Sequence, residues 1–379
     1  MEMRNIAVLG SGVMGHGIAQ VSAMSGYNVA LRDIEQGFLD RAMEKIRWSL
    51  EKMVSKEKIS PQESKAVLER IRPVVDLQDA VRGADMVIEV VPEVMEIKKK
   101  VYAELDSVAD PGTVFASNTS TLPITEIAGT TSRPEKFIGI HFFNPPQLMK
   151  LVEVIPGEKT APEITGMTTK FVESVGKQAV ICRKDVPGFI INRLFIPMVH
   201  EACYVRDRTG AALEEVDSAV KFKMGFPMGI FELADFTGLD VIHKATVEMH
   251  QRDKKVINPH KEVKQMFEEK KMGQKSGEGY YRYSDDKYER VALSESLASG
   301  CDHTQLVANV INNAAWLITN GASDAEEIEK AARLGLGLKK PLFETAREVG
   351  IDKIISELEG LAAKHGEFYR PDPLLLSMR

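Results

Sequence analysis

Cysteine is scarce: the 379 residues hold three, Cys182, Cys203 and Cys301. An odd number with no CxxC spacing argues against a disulfide framework and against a zinc site. Long apolar runs are missing too, and nothing approaches the length of a membrane span. Positive charge is not in excess, since 49 basic residues face 55 acidic ones for a net charge of −6. That balance, with no basic run, speaks against a nucleic-acid surface. The small clusters Lys98–Lys100 and Lys270–Lys271 read mostly as solvated helix faces. The first strand starts by residue 5, which leaves no room for a signal peptide and leads us to expect a cytoplasmic protein. What is present is ordinary globular material: 44% apolar and 27% charged residues, on a chain long enough for two or three domains.

The N-terminus carries the first specific signal. Ile6 to Leu9 reads as a strand buried on both faces, followed by Gly10-Ser-Gly12-Val13-Met14-Gly15. This is a G-x-G-x-x-G turn opening a helix, with free N–H groups and a partial positive charge suited to a pyrophosphate. Gly26 ends that helix, and a second strand from Tyr27 to Leu31 leads into Asp33. An acidic group there accepts both ribose hydroxyls and repels a 2′-phosphate, so NAD is expected rather than NADP. Strand, glycines, helix, strand and acid in register are far more specific than the glycines alone.

Residues 37–71 interrupt the alternation. Phe38 to Val54 and Ser60 to Ile71 read as two amphipathic helices, the second opened by a capping box at Ser60 and Glu63 with Pro61 between. Its basic residues Lys45, Lys52 and Lys56 leave a ligand contact open. Further strands are expected over 85–91, 114–117, 137–141 and 151–155, which makes the fold an α/β Rossmann-type doubly wound sheet. His141 ends one of these apolar runs, and Glu153 sits inside another. A carboxylate buried there needs a partner, and the histidine can reach it if the two strands are neighbours. An imidazole held by one nitrogen can exchange a proton through the other.

These stretches, together with Phe115-Ala-Ser-Asn-Thr-Ser120, His141-Phe-Phe-Asn144-Pro145, Asp185-Val-Pro-Gly-Phe-Ile-Ile-Asn-Arg193 and Gly277-Glu-Gly-Tyr-Tyr281, resemble the L-3-hydroxyacyl-CoA dehydrogenases. The resemblance runs from residue 5 to about 283 and includes the short-chain 3-hydroxybutyryl-CoA members. It implies that His141 is the catalytic base, with Glu153 orienting it, and that Ser120 and Asn192 contact the reacting oxygen. It further implies NAD contacts at Glu93, Lys98, Asn118, Asn144 and Lys275, and coenzyme A contacts at Ser49 and Lys56. The implied reaction is reversible NAD-dependent oxidation of an (S)-3-hydroxyacyl-CoA. Competing readings are a dehydrogenase of free 3-hydroxy acids and a crystallin-like protein that retains the NAD site without catalysis. Some relatives carry an enoyl-CoA hydratase domain, so a link to that activity is a further expectation.

Beyond Arg183 strands cease, and Pro187 to Arg208 reads as a long helix containing Pro197. At an offset of 112 the chain repeats itself: Glu215/Glu327, Gly225/Gly337, Phe231/Phe343, Glu232/Glu344, Gly238/Gly350, Asp240/Asp352, Pro259/Pro371 and Met266/Met378 coincide. Asn192 does not recur, because its counterpart is Thr304, so the second copy reads as structural. The expected layout is an NAD-binding domain over 1–183, a helical substrate domain over 184–290 and a degenerate helical copy over 291–379. A second copy that covers the face used for pairing in single-copy members favours a monomer; a homodimer is the alternative.

Overall fold

The computed structural model describes residues 3–284 and 287–379. They divide into two compact units, Met1–Asp185 and Val186–Arg379.

The first unit is an eight-stranded sheet: β1 Asn5–Leu9, β2 Asn28–Arg32, β3 Ile71–Val74, β4 Met86–Glu89, β5 Val114–Ser117, β6 Phe137–Phe142, β7 Leu151–Pro156 and β8 Gln178–Ile181. Their order is β3-β2-β1-β4-β5-β6-β7-β8. Neighbours run parallel except β6 and β7, which are antiparallel. The order reverses beside β1, the position where open α/β sheets bind ligands at the carboxyl ends of their strands. The central strands β1, β4, β5 and β6 are apolar and buried almost throughout, as a sheet covered on both faces requires.

Helix α1, Val13–Met24, follows the glycine-rich turn, and α2, Gln36–Ser55, and α3, Pro61–Glu69, form the inserted hairpin. Leu39, Ala42, Met43, Ile46 and Leu50 recur at helical spacing and are the buried stripe of α2. The capping box opens α3 as expected: the Glu63 N–H donates to Ser60 Oγ at 3.1 Å, and the Ser60 N–H donates to Glu63 Oε2 at 2.7 Å. That helix ends at Glu69, however, and Ile71 begins β3. Strands β3 and β8 have no counterpart in the sequence reading. Each is four residues long and lies at an edge of the sheet, and Pro73 within β3 reads as a strand breaker; an edge strand tolerates it.

The second unit is mainly helical. Its long helix spans Ile191–Thr209 and passes through Pro197 unbroken. It starts four residues later than the sequence suggests, because Gly188 and Phe189 both have positive φ, +78° and +50°, which no α-helix accommodates. The repeat is visible helix by helix. Leu213–Lys223 returns as Ala325–Gly335, Ile230–Thr237 as Leu342–Val349 and Leu239–Arg252 as Ile351–His365. Ile191–Thr209 corresponds to Thr304–Thr319, and Lys261–Glu268 to the shorter Pro373–Ser377.

Backbone caps recur as well. Asp217 accepts the N–H groups of Phe231 and Glu232 at 2.8 and 3.2 Å, while its copy Glu329 accepts those of Leu342 and Phe343, both at 2.8 Å. The copies pack on each other reciprocally. The Lys339 N–H donates to the Gly225 carbonyl at 2.9 Å, and a Cβ on Gly337, the copy of Gly225, would lie 3.0 Å from Pro227. Contact of a loop with its own copy is what an approximate two-fold axis produces.

Candidate active site

The turn after β1 is shaped by its glycines. Gly10 has φ of +101°, and a Cβ on Gly15 would fall 1.8 Å from the Gly10 carbonyl oxygen, so the turn and helix could not close with any other residue. At Gly12 an added Cβ would meet no protein atom within 4 Å, so packing does not explain that glycine. Helix α1 has no side-chain cap, leaving its first N–H groups for a ligand, with Val13 exposed and Met14 half-buried beside them. Asp33 stands at the mouth of this turn. Its Oδ2 accepts the Ser11 N–H at 2.7 Å and the Ser11 hydroxyl at 2.6 Å, and its Oδ1 accepts the Ile34 N–H at 2.8 Å. Open helix N–H groups, a glycine with free space and a carboxylate at the end of β2 together fit a dinucleotide with unphosphorylated ribose.

His141 and Glu153 are directly opposite each other across β6 and β7. Opposite residues of an antiparallel pair project to the same face, which brings the two side chains together. His141 Nδ1 lies 2.7 Å from Glu153 Oε2, with the carboxylate fully buried and the imidazole nearly so. The Phe143 ring packs against the imidazole at 4.4 Å between centroids. An imidazole held at Nδ1 in this way can exchange a proton through Nε2.

A second buried cluster surrounds Glu93. Its Oε1 accepts from the Thr119 hydroxyl at 2.6 Å, the Ser120 N–H at 2.7 Å and the Ser120 hydroxyl at 3.1 Å. Lys98 is not solvated, as its place in a lysine run suggests, but 1% exposed. It sits 2.7 Å from Glu89 Oε1, 3.1 Å from Glu93 Oε2 and 3.4 Å from the Val91 carbonyl. Burial alone would lower its pKa, but Glu89 and Glu93 outweigh that and hold it above the ordinary lysine value. Glu93 is held below the usual carboxylate range: its burial acts upward, and Lys98, Thr119 and Ser120 overcome it. Sequence reasoning missed Glu89, although the signal that exposed Glu153, a carboxylate inside an apolar strand, was equally present there. It also missed Thr119.

The remaining expected residues are placed as follows. Asn118 Oδ1 accepts the Phe142 N–H at 2.9 Å, tying the end of β5 to the end of β6. Asn144 is exposed and precedes Pro145 through a cis peptide bond. Ser49 is half-buried on α2, where its hydroxyl accepts from Gln20 Nε2 at 3.0 Å, and Lys56 is exposed at the end of that helix. Asn192 and Lys275 belong to the second unit. Asn192 is the second residue of the Ile191–Thr209 helix, and Lys275 is exposed and paired with Asp240. In that unit Cys203, His260 and Glu262 bring metal-type donor atoms within 4.8 Å of one another. Arg206 already donates to both Glu262 oxygens at 3.1 Å, so a cation of the protein's own fills that place.

Comparison with known proteins identifies the family. The 3-hydroxyacyl-CoA dehydrogenase NAD-binding domain matches residues 5–186, and the C-terminal domain of the same enzymes matches residues 188–283 and 303–379. The chain belongs to the 3-hydroxyacyl-CoA dehydrogenase family. It is 41% identical over 278 residues to a probable 3-hydroxybutyryl-CoA dehydrogenase of Deinococcus radiodurans, covering 73% of this chain and 99% of that one. The mitochondrial hydroxyacyl-coenzyme A dehydrogenase of Rattus norvegicus is 38% identical over 288 residues, with 74% and 91% covered. Among solved structures, 3-hydroxybutyryl-CoA dehydrogenase from Escherichia coli superposes with a TM-score of 0.88 at 29% identity. That match covers 100% of this chain and 98% of the other. Among the described residues no helix is long and apolar enough to cross a membrane.

Proposed function

We propose that this chain catalyses the reversible NAD-dependent oxidation of a short-chain (S)-3-hydroxyacyl-CoA, 3-hydroxybutyryl-CoA in the first instance, to the 3-oxoacyl-CoA. The observation that carries the mechanism is the 2.7 Å contact of His141 with Glu153, near the carboxyl end of β6 in a dinucleotide-binding sheet. Gly10, Gly12, Val13, Met14 and Gly15 hold the pyrophosphate, Asp33 the adenosine ribose, and Glu93, Asn118, Asn144 and Lys275 the remainder of NAD. Once bound, NAD supplies the hydride acceptor. His141 takes the proton of the 3-hydroxyl at Nε2 while Glu153 holds Nδ1–H and stabilises the imidazolium. Ser120 and Asn192 position the reacting oxygen, and donors there offset the charge that grows on it. Lys98 is too buried and too fully paired to serve as a ligand contact itself; it acts through Glu93. Ser49 and Lys56 bind coenzyme A.

Following NADH consumption with acetoacetyl-CoA and with free acetoacetate tests the reading. The thioester is expected to be preferred by a large factor in kcat/KM, and equal turnover of the free acid would overturn the coenzyme A assignment. We further read the chain as a monomer, because the reciprocal packing of the two helical copies supplies internally what a second subunit would otherwise provide. Light scattering should give the mass of one chain, and a stable dimer joined through the 191–209 helix would refute this.

A further inference from the structure

Helix α2 gathers most of its solvent-side cations along one edge. Asp40, Glu44 and Glu51 fall along the other edge with Arg47 beside them, whereas Arg41, Lys45, Lys52 and Lys56 line up at spacings of four, seven and four. At about 100° per residue those four cations, with Phe38, Trp48 and Ser49, occupy little more than a quarter of the helix circumference. An ordinary surface helix interleaves opposite charges at i,i+4, and this edge does not. Among the described residues, none of Arg41, Lys45, Lys52 and Lys56 forms an ion pair with a carboxylate. Trp48 is 58% exposed, and Lys52 Nζ lies 3.7 Å from its ring centroid. The indole is therefore largely exposed and carries an ammonium against its ring.

The stripe is connected to the catalytic strand. Gln147, six residues beyond His141, donates from Nε2 to Gln20 Oε1 at 3.2 Å, and Gln20 Nε2 donates to Ser49 Oγ at 3.0 Å. From Ser49 to Lys56 the helix advances about 10 Å away from that link. A ligand laid along it would meet a hydroxyl, then an aromatic face with an ammonium, then a further ammonium.

We propose that Trp48 is the platform on which the adenine of the acyl-CoA substrate stacks, with Lys52 beside it taking a phosphate of the same adenosine. This rests on the coenzyme A reading above and adds to it a residue that sets affinity for the nucleotide end. That end is the part of the substrate that joins an aromatic base to phosphate groups; the pantetheine arm and acyl group are uncharged. Base–aromatic stacking needs only a π-face, and a neighbouring cation strengthens it.

The test uses the whole chain, as wild type and as Trp48→Ala, Trp48→Phe and Lys52→Ala, with acetoacetyl-CoA and acetoacetyl-pantetheine as alternative substrates. Trp48→Ala should raise KM for acetoacetyl-CoA about tenfold with kcat within twofold. KM for acetoacetyl-pantetheine and for NADH should not move. Trp48→Phe should recover most of the loss, and the Lys52→Ala defect should shrink as salt is added. Independently of turnover, adenosine 3′,5′-bisphosphate should quench the fluorescence of wild type and not of Trp48→Ala. An equal rise in KM for both thioesters, or no rise for either, overturns the proposal. If wild type instead prefers free acetoacetate, the coenzyme A reading falls first, and absence of quenching by the bisphosphate then removes the role of Trp48 on its own evidence.

Discussion

Glu153 with His141, and Glu89 with Lys98, are both buried 2.7 Å contacts between a carboxylate and a basic nitrogen in or beside one sheet. They differ in the group that bears the nitrogen. Three acceptors, Glu89, Glu93 and the Val91 carbonyl, surround the three protons of the Lys98 ammonium. Glu89 in turn accepts the Val91 N–H and the Ser117 hydroxyl. Such a cluster fixes a charge and the backbone around it. Glu153 contacts His141 at Nδ1, and the mechanism we propose uses the other ring nitrogen. On our proposal the Lys98 ammonium is a strut and the His141 imidazole is a tool. Burial and distance alone do not separate the two.

Paired substitutions sharpen this contrast. His141→Ala should lower kcat by about 10²–10⁴ with NADH binding near that of wild type and the chain still folded. Lys98→Met should do the reverse in character: leaving the buried Glu89 and the half-buried Glu93 without their cation costs about 3–5 kcal/mol of stability, read as a lower denaturant midpoint. If Lys98→Met folds as stably as wild type, or if His141→Ala unfolds instead of losing turnover, the distinction fails.

A smaller effect is expected in the second unit, where the two copies solve one problem differently. His200 Nδ1 accepts the His260 N–H at 2.9 Å, and in the second copy Asn312 Oδ1 accepts the Asp372 N–H at 2.8 Å. Burial, together with His260 and His243, pushes the His200 pKa down to about 3 from 6.5. A group lowered in the folded state contributes stability above its unfolded value and loses it as pH falls toward the folded one. The His200 contribution is therefore present above pH 6.5 and declines between there and about 3. His200→Asn, which copies the second repeat, should flatten the pH dependence of unfolding in that window. An unchanged acid limb would show that His200 does not set it.

Much of this architecture is written in short-range signals. The β1–glycine–helix–β2–Asp33 unit is legible because turn, packing and charge each demand a residue type at a fixed spacing. The His141–Glu153 contact is legible because a carboxylate in an apolar strand needs a partner. The repeat shows because glycines with positive φ at 225/337 and 238/350 tolerate little substitution. Strand β3 was hidden because Pro73 contradicts local strand propensity and only the sheet edge permits it. The start of the 191–209 helix was hidden because the backbone at Phe189 takes a conformation its side chain does not advertise. The burial of Lys98 was hidden because a lysine run looks solvated until the carboxylates converging on one member are known. In each case a contact distant in sequence, or the position of a strand in the sheet, overrode the local pattern.

The central claim is that Glu153 acts through His141 and has no separate role in turnover. A double-mutant cycle on kcat, with His141→Ala, Glu153→Gln and the double variant measured against wild type, tests it most directly. The account predicts that each single change is severe and that adding Glu153→Gln to His141→Ala costs nothing further. Losses that multiply, or near-normal turnover in His141→Ala, would contradict it.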